Sequence, residues 1–182
     1  MNFEKTPIDG LGIINNIDFK DERGTFLKIF GEKISDSLNF HIKQVNYSHN
    51  NELGTIRGLH YQSKISDAKI VTCTRGSVFD VAVDLRPNSL SFGMHVAIHL
   101  SEKNAKALYI PKGFAHGFQT LSDNADILYL HDESYLPNCQ KGLSVFSKEL
   151  NIHWPLSFKQ ISQKDLNLED FTNDRSKYFY EV

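Results

Sequence analysis

From about residue 68 to about residue 131 the chain alternates apolar and polar positions, and turn residues interrupt it at short intervals. Phe79, Val81, Val83 and Leu85 share one parity, and Val78, Asp80, Ala82 and Asp84 share the other. Successive side chains of a strand point to opposite faces, so residues 77–85 are predicted to form a strand with one apolar and one mixed face. Met94, Val96, Ile98 and Leu100 alternate with His95, Ala97 and His99 in the same way. Further strands are predicted over 25–30, 42–48, 68–74, 107–110, 114–121 and 125–131, with another starting near Ile56. Arg75-Gly76, Arg86-Pro87-Asn88-Ser89, Ser101-Glu102-Lys103-Asn104 and Ser122-Asp123-Asn124 supply the turns between them. Many short, regularly spaced strands argue for an all-β sandwich or barrel.

The flanks read differently. Residues 1–20 carry apolar Leu11, Ile13 and Ile14 and a possible turn at Asn15-Asn16, which suggests an extended arm. Residues 31–40 can hold a short, weakly capped helix. Residues 150–182 contain the one Trp and a charged, aromatic end, and Ser162 is placed to cap a short helix starting near Lys164. No repeat or low-complexity linker divides the chain. The expectation is one domain over 1–182, with a β core over about 42–148 and a small helical extension over about 150–182.

Composition changes this picture little. Net charge is −2 and the pI is about 6.4, so neither nucleic acid nor an anionic membrane is an expected partner. Cys73 and Cys139 form no CxxC pair, which fits free thiols in a reducing compartment but leaves a single disulfide open. The N-terminus has no apolar signal core and no apolar run is long enough to span a bilayer, so the expected location is cytoplasmic.

Chemistry concentrates in two stretches. Arg57-Gly58-Leu59-His60-Tyr61-Gln62 places an Arg and a His within four residues. Pro111-x-Gly113-x-x-His116 joins a tight turn to a strand and resembles the second motif of the cupin superfamily. Metal-binding cupins add His-x-His and a Glu, whereas this chain offers only His60 in the corresponding region. His95 and His99 would lie about 13 Å apart along a strand, too far to share one ion. No metal is therefore expected. Read by itself, His60 is either a hydrogen-bonded core residue or a general base working near neutral pH. A base of that kind gains from a carboxylate partner, for which Asp80, Asp84 and Asp165 are candidates. Lys69 is a solvated strand-end cation or an oxyanion stabiliser. Tyr129 is a core aromatic or a proton donor. A Gly-x-Ser-x-Gly elbow and a Gly-rich phosphate loop are both missing, which argues against a serine hydrolase and a dinucleotide or ATP enzyme.

Taken in order along the chain, six stretches resemble the dTDP-4-dehydrorhamnose 3,5-epimerase family of sugar-nucleotide cupins. They are Asp21-Glu22-Arg23-Gly24, the stretch 57–62, the stretch 78–86, Leu100-Ser101-Glu102-Lys103-Asn104, the stretch 110–118 and Ile161-Ser162-Gln163-Lys164-Asp165. The resemblance implies a cupin jelly roll, a cofactor-free and metal-free isomerase of deoxysugar and polysaccharide biosynthesis, and a homodimer as the usual assembly. It matches the family's base to His60, the aspartate paired with that base to Asp165, the oxyanion-stabilising lysine to Lys69 and the acid tyrosine to Tyr129. It matches residues that hold the nucleotide sugar to Arg23, Gln44, Asn46, Arg57, His116, Tyr135 and Lys164.

Four positions depart from the family pattern. Lys28 and Gln140 stand where glutamate is frequent, Val145 where tryptophan is frequent, and Leu130 where lysine is frequent. The acid–base set is kept while these positions differ, so the nucleotide, the sugar and the number of inverted centres stay open. Epimerisation at C3 or C5 alone, action on another nucleotide sugar, a ketoisomerase, a metal-dependent dioxygenase and a non-catalytic sugar-binding cupin are the other readings. One geometric demand follows. In a regular strand Arg57 and His60 face opposite ways, so both reach one pocket only if the strand bulges near Gly58.

Overall fold

The computed structural model describes residues 1–178. The N-terminal part holds β1 (Asn2–Lys5), β2 (Gly12–Asn15), β3 (Ile17–Asp21), β4 (Gly24–Lys28) and helix α1 (Glu32–Leu38). There follow β5 (Gln44–Asn50), β6 (Ile56–Gln62), β7 (Lys69–Arg75), β8 (Ser77–Asp84) and β9 (His95–Ser101). Then come β10 (Lys106–Ile110), β11 (Phe114–Thr120), β12 (Ala125–His131), the short β13 (Gln140–Gly142) and helix α2 (Gln163–Leu166). One sheet has the order β1-β2-β10-β7-β12-β5 and a second the order β13-β6-β11-β8-β9, while β3 and β4 form a hairpin of their own. Neighbouring strands in both sheets run antiparallel. This is the all-β, cupin-type jelly roll expected from the sequence.

Three apolar clusters explain the layering. Val71 and Cys73 of β7, Leu108 of β10 and Ile127 of β12 meet Val78 and Ala82 of β8, Leu100 of β9 and Phe118 of β11. These residues come from the two sheets, so this cluster is the filling between them. The outer face of the first sheet presents Ile14, Ile70, Ala107 and Leu130, which α1 and its flanks cover with Ile34 and Phe40. Glu32 in the first turn of α1 suits the helix dipole, and Asn39 ends the helix in the left-handed conformation with φ 46°. The outer face of the second sheet presents Ile56, Leu59, Val81, Val83 and Ala115, covered by Leu143 and Val145 from the segment after β13 and by Leu150, Phe171 and Tyr178 from the C-terminal extension.

One expectation changes here. The stretch 1–20 is more than an arm, since β1 and β2 extend the first sheet and Ile8, Leu11 and Ile14 are buried. β8 has no solvated face, because the C-terminal extension covers its outer side and the first sheet its inner side. The alternation of β8 therefore sorts residues between two cores. The inward polar positions, Asp80 and Asp84, are fully buried and each finds a charged or ionisable partner.

Candidate active site

A cavity of about 670 Å³ opens between the two sheets, within the usual size of a small-molecule site. The second sheet contributes Arg57, His60, Gln62 and His116, and the first contributes Asn46, Lys69, Tyr129 and His131. Gln140, Lys164 and Asp165 close one side.

β6 meets the geometric demand at Gly58. On β11, His116 lies opposite His60 and Phe118 opposite Arg57, so three steps along β6 match two along β11. That is a β-bulge, and it turns both Arg57 and His60 into the cavity. Gly58 adopts φ +114°, and a Cβ there would lie 2.7 Å from both Gly117 Cα and the His116 carbonyl oxygen. Only glycine fits this crossing of β6 and β11.

Of the three candidate partners for His60, Asp165 takes the place. His60 Nε2 donates to Asp165 Oδ1 at 2.7 Å, which leaves Nδ1 as the ring nitrogen free of that bond. Asp165 is 105 residues downstream, and α2 holds it there. Ser162 caps the helix by accepting the Asp165 N–H at 3.0 Å, and the Gly58 N–H approaches Asp165 Oδ2 at 3.4 Å. Burial raises the Asp165 pKa, but the His60 ring and these donors outweigh it and leave the carboxyl below its usual range. Asp80 instead holds His116, with Nε2 at 2.9 and 3.0 Å from its two oxygens. Asp84 accepts from Arg86, Ser89 and Ser91.

Across the cavity, Lys69 is buried and its Nζ lies 3.2 Å from Asp67 Oδ2. Tyr129 packs edge-on to His116 and stacks on His131, each with ring centroids 6.0 Å apart. Burial and the Asp80 carboxylate push its phenol well above the ordinary range, so it keeps its proton at neutral pH. A base dyad of His60 on the second sheet and Asp165 on α2 thus faces an ammonium and a protonated phenol on the first sheet. That set can remove a proton beside a carbonyl, hold the resulting oxyanion and return a proton to the opposite side.

The expected binding residues are mostly at this cavity. Arg57 Nε donates to the buried Asn50 at 2.7 Å, and Gln44 donates to Asn46 at 2.9 Å. Gln44 Oε1 also accepts the Tyr135 N–H at 2.8 Å. Gln140 Oε1 accepts from the Tyr135 hydroxyl at 2.5 Å and from Lys164 Nζ at 3.0 Å. Gln44 and Arg23 are the exceptions. Gln44 does not line the cavity and reaches it only through Asn46 and Tyr135. Arg23 sits at the tip of the β3–β4 hairpin, paired with Asp21 and exposed, and is not among the residues lining the cavity. Of the four departures from the family pattern, only Gln140 lines the cavity. Leu130 points outward into the cluster beneath α1, Val145 is buried under the C-terminal extension, and Lys28 ends the hairpin.

The sequence reading missed Asp67 and His131. Both line the cavity, and His131 Nδ1 donates to Asp67 Oδ2 at 2.8 Å. Period-two spacing could have found them, since Asp67-x-Lys69 and Tyr129-x-His131 each put two polar groups on one side of an extended segment. Among the described residues no cluster of three or more His, Cys, Asp or Glu side chains is placed to hold a metal ion. No helix of the described residues is long and apolar enough to cross a membrane.

Comparison with known proteins identifies the family of the chain. Residues 5–173 match the family model described as dTDP-4-dehydrorhamnose 3,5-epimerase. A dTDP-4-dehydrorhamnose 3,5-epimerase of Shigella flexneri is 39% identical over 176 residues, covering 95% of this chain and 97% of that protein. The solved structure of a dTDP-6-deoxy-D-glucose-3,5-epimerase from Legionella pneumophila, in complex with dTDP-4-keto-L-rhamnose, superposes with a TM-score of 0.91 at 37% identity. It covers 100% of this chain and 99% of that one. A 3′-monoepimerase from Streptomyces bikiniensis, in complex with dTDP-quinovose, has a TM-score of 0.85 at 28% identity, covering 92% of this chain and 86% of that one. With the family model spanning nearly the whole chain and relatives this similar over their full length, the chain belongs to the dTDP-4-dehydrorhamnose 3,5-epimerase family.

Proposed function

We propose that this chain epimerises a nucleotide-linked 4-keto-6-deoxy sugar, of the dTDP-4-dehydro-6-deoxyglucose type, at C3 and C5. The observation that carries the reading is the 2.7 Å His60–Asp165 pair facing Lys69 and Tyr129 across one cavity. The C4 carbonyl acidifies the hydrogens on its neighbouring carbons, because the electron pair left behind delocalises onto O4. His60 takes the proton through Nδ1, and the Asp165 carboxylate stabilises the imidazolium that forms. The Lys69 ammonium faces the developing negative charge on O4. Tyr129 delivers its hydroxyl proton to the opposite face of the carbon, and the electron pair returns from O4 to form the C–H bond. The phenolate and the imidazolium then exchange protons with solvent, so the cycle needs no net oxidant or reductant. Arg57, His116, Lys164, Gln44, Asn46 and Tyr135 would hold the diphosphate and sugar.

The homodimer belongs to the same reading. The β3–β4 hairpin leaves Phe19 60% and Phe26 70% exposed, and the edge strand β5 leaves Val45 54% and Tyr47 62% exposed. Apolar surface of this kind on a hairpin and on an open sheet edge favours pairing with a second copy. Arg23 at the hairpin tip would then reach the partner's cavity, which accounts for its distance from its own. The whole chain would act as one catalytic unit in the cytoplasm.

Incubation in D₂O with dTDP-, GDP-, CDP- and UDP-4-keto-6-deoxyhexoses tests the reading. Deuterium entering both C3 and C5 of the dTDP sugar, with inversion, is expected. Deuterium at one centre alone would make the enzyme a mono-epimerase. No exchange with any of the four sugars would overturn the catalytic reading.

A further inference from the structure

Each histidine lining the cavity is paired with an aspartate: His60 with Asp165, His116 with Asp80, and His131 with Asp67. The first pair serves as base and the second belongs to a binding residue, but the third has no part in the mechanism so far. Its surroundings are specific. Asp67 Oδ2 accepts from both Lys69 Nζ at 3.2 Å and His131 Nδ1 at 2.8 Å. Asp67 and Lys69 are buried, so neither charge is screened by bulk water. The Lys69 charge and the hydrogen bond from His131 outweigh burial and hold the Asp67 carboxyl well below the ordinary range, so it stays ionised.

The hydrogen bonds run one way. The Tyr135 N–H donates to Gln44 Oε1 at 2.8 Å, and Gln44 Nε2 donates to Asn46 Oδ1 at 2.9 Å. Asn46 Nδ2 lies 3.3 Å from His131 Nε2, and His131 Nδ1 donates to Asp67. With Asn46 donating, the neutral His131 ring is fixed with its proton on Nδ1. The same ring stacks on Tyr129, at an interplanar angle of 18°.

We propose that Asp67 and His131 are positioning residues of the reaction: Asp67 anchors the Lys69 ammonium, and His131 ties that anchor to Tyr129 and to the Gln44–Asn46–Tyr135 side of the cavity. The proposal rests on the epimerase reading of this cavity. Its physical content is that an ammonium on a flexible stem needs a fixed counter-charge to meet O4 in one geometry. A carboxylate whose same oxygen is also held by His131 supplies that. The link through Asn46 and Gln44 joins the enolate-stabilising group to residues expected to touch the sugar nucleotide. Acting through Lys69 and Tyr129, both should affect turnover more than binding.

The test uses Asp67→Asn, His131→Leu and His131→Asn, the last because its amide can replace the Nδ1 donor. For each variant, solvent-deuterium uptake into the 4-keto sugar is measured as kcat and KM, with a thermal melt to establish folding. Asp67→Asn and His131→Leu should lower kcat about tenfold, less than removal of a direct oxyanion donor, with KM little changed. His131→Asn should recover most of that loss. In the free protein, long-range ¹H–¹⁵N spectra should place the neutral His131 proton on Nδ1, and Asp67→Asn should alter that signature. Folded Asp67→Asn and His131→Leu variants with wild-type kcat would overturn the proposal, as would a neutral His131 protonated on Nε2. A rise in KM at constant kcat would also overturn it, by making the pair a binding element. No exchange by the unmodified enzyme would overturn the epimerase reading itself, and the positioning role with it. Exchange by the unmodified enzyme and by all three variants alike would overturn this proposal alone.

Discussion

Lys69 and Tyr129 reach the cavity from adjacent strands of one sheet, and each can be removed with little change of shape. Lys69→Ala should raise the barrier by about 2.7–4 kcal/mol, the usual effect of losing an oxyanion donor, read as a fall in kcat for deuterium uptake. A folded Lys69→Ala enzyme with unchanged kcat would remove it from the mechanism. Tyr129→Phe leaves His60 able to take and return a proton on its own face. That variant should still wash deuterium into the substrate while losing inversion at that carbon, which NMR of the recovered sugar separates. Inversion at the wild-type rate would assign the acid elsewhere. His60 and Asp165 show how far residue-scale reading carries. The His was visible as a candidate from its motif, but by residue type three aspartates competed to be its partner; the family resemblance pointed to Asp165, and the folded distance of 2.7 Å places it there. Asp80 and Asp84 lost that place because each is committed to another cation or ring on the inner face of β8.

At the scale of elements, the site depends on one irregular strand and one four-residue helix. Gly58→Ala puts a methyl group against the backbone of β11 at a φ of +114°, a conformation an L side chain resists. It should destabilise the protein, and activity should fall further than the loss of folded protein explains, because Arg57 and His60 no longer face the cavity together. Deuterium uptake per folded molecule, with folding followed by circular dichroism, makes the comparison. Ser162→Ala removes the N-cap of α2, worth about 0.5–2 kcal/mol in other helices, and loosens the aim of Asp165. The strands themselves were readable from alternation and turn residues, since period-two patterning and β-branched residues act locally. The joining of β1 and β2 to the first sheet was not, because the pairings of β2 with β10 and of β10 with β7 bring together residues remote in sequence.

For the whole molecule, acid should be the weak side. Asp67, Asp84 and Asp165 all sit below their usual value of 3.8 in the folded state. A depressed carboxyl stabilises the fold fully above its unfolded pKa, and that contribution is lost as pH falls through the folded one. Urea midpoints should therefore hold near neutrality and drop below about pH 4, with a shallower drop in Asp67→Asn. A midpoint independent of pH down to 3 would contradict the shifts. Phe26→Asp on the hairpin should convert the proposed dimer to a monomer in sedimentation. Arg23→Ala should weaken nucleotide-sugar binding without changing the sedimenting species.

Residue type and near-neighbour spacing determined the strand alternation and the short helix capped by Ser162, and the resemblance of six stretches to the epimerase family supplied the acid–base candidates. Tertiary structure decided what depends on distance between remote segments. It brought Asp165 to His60 from 105 residues away. It bulged β6 so that Arg57 and His60 share one cavity. It turned Leu130 and Val145 away from the site and brought Asp67 and His131 into it. A side chain's direction is set by the register and the packing around it, and neither is a property of the residue's own stretch of chain.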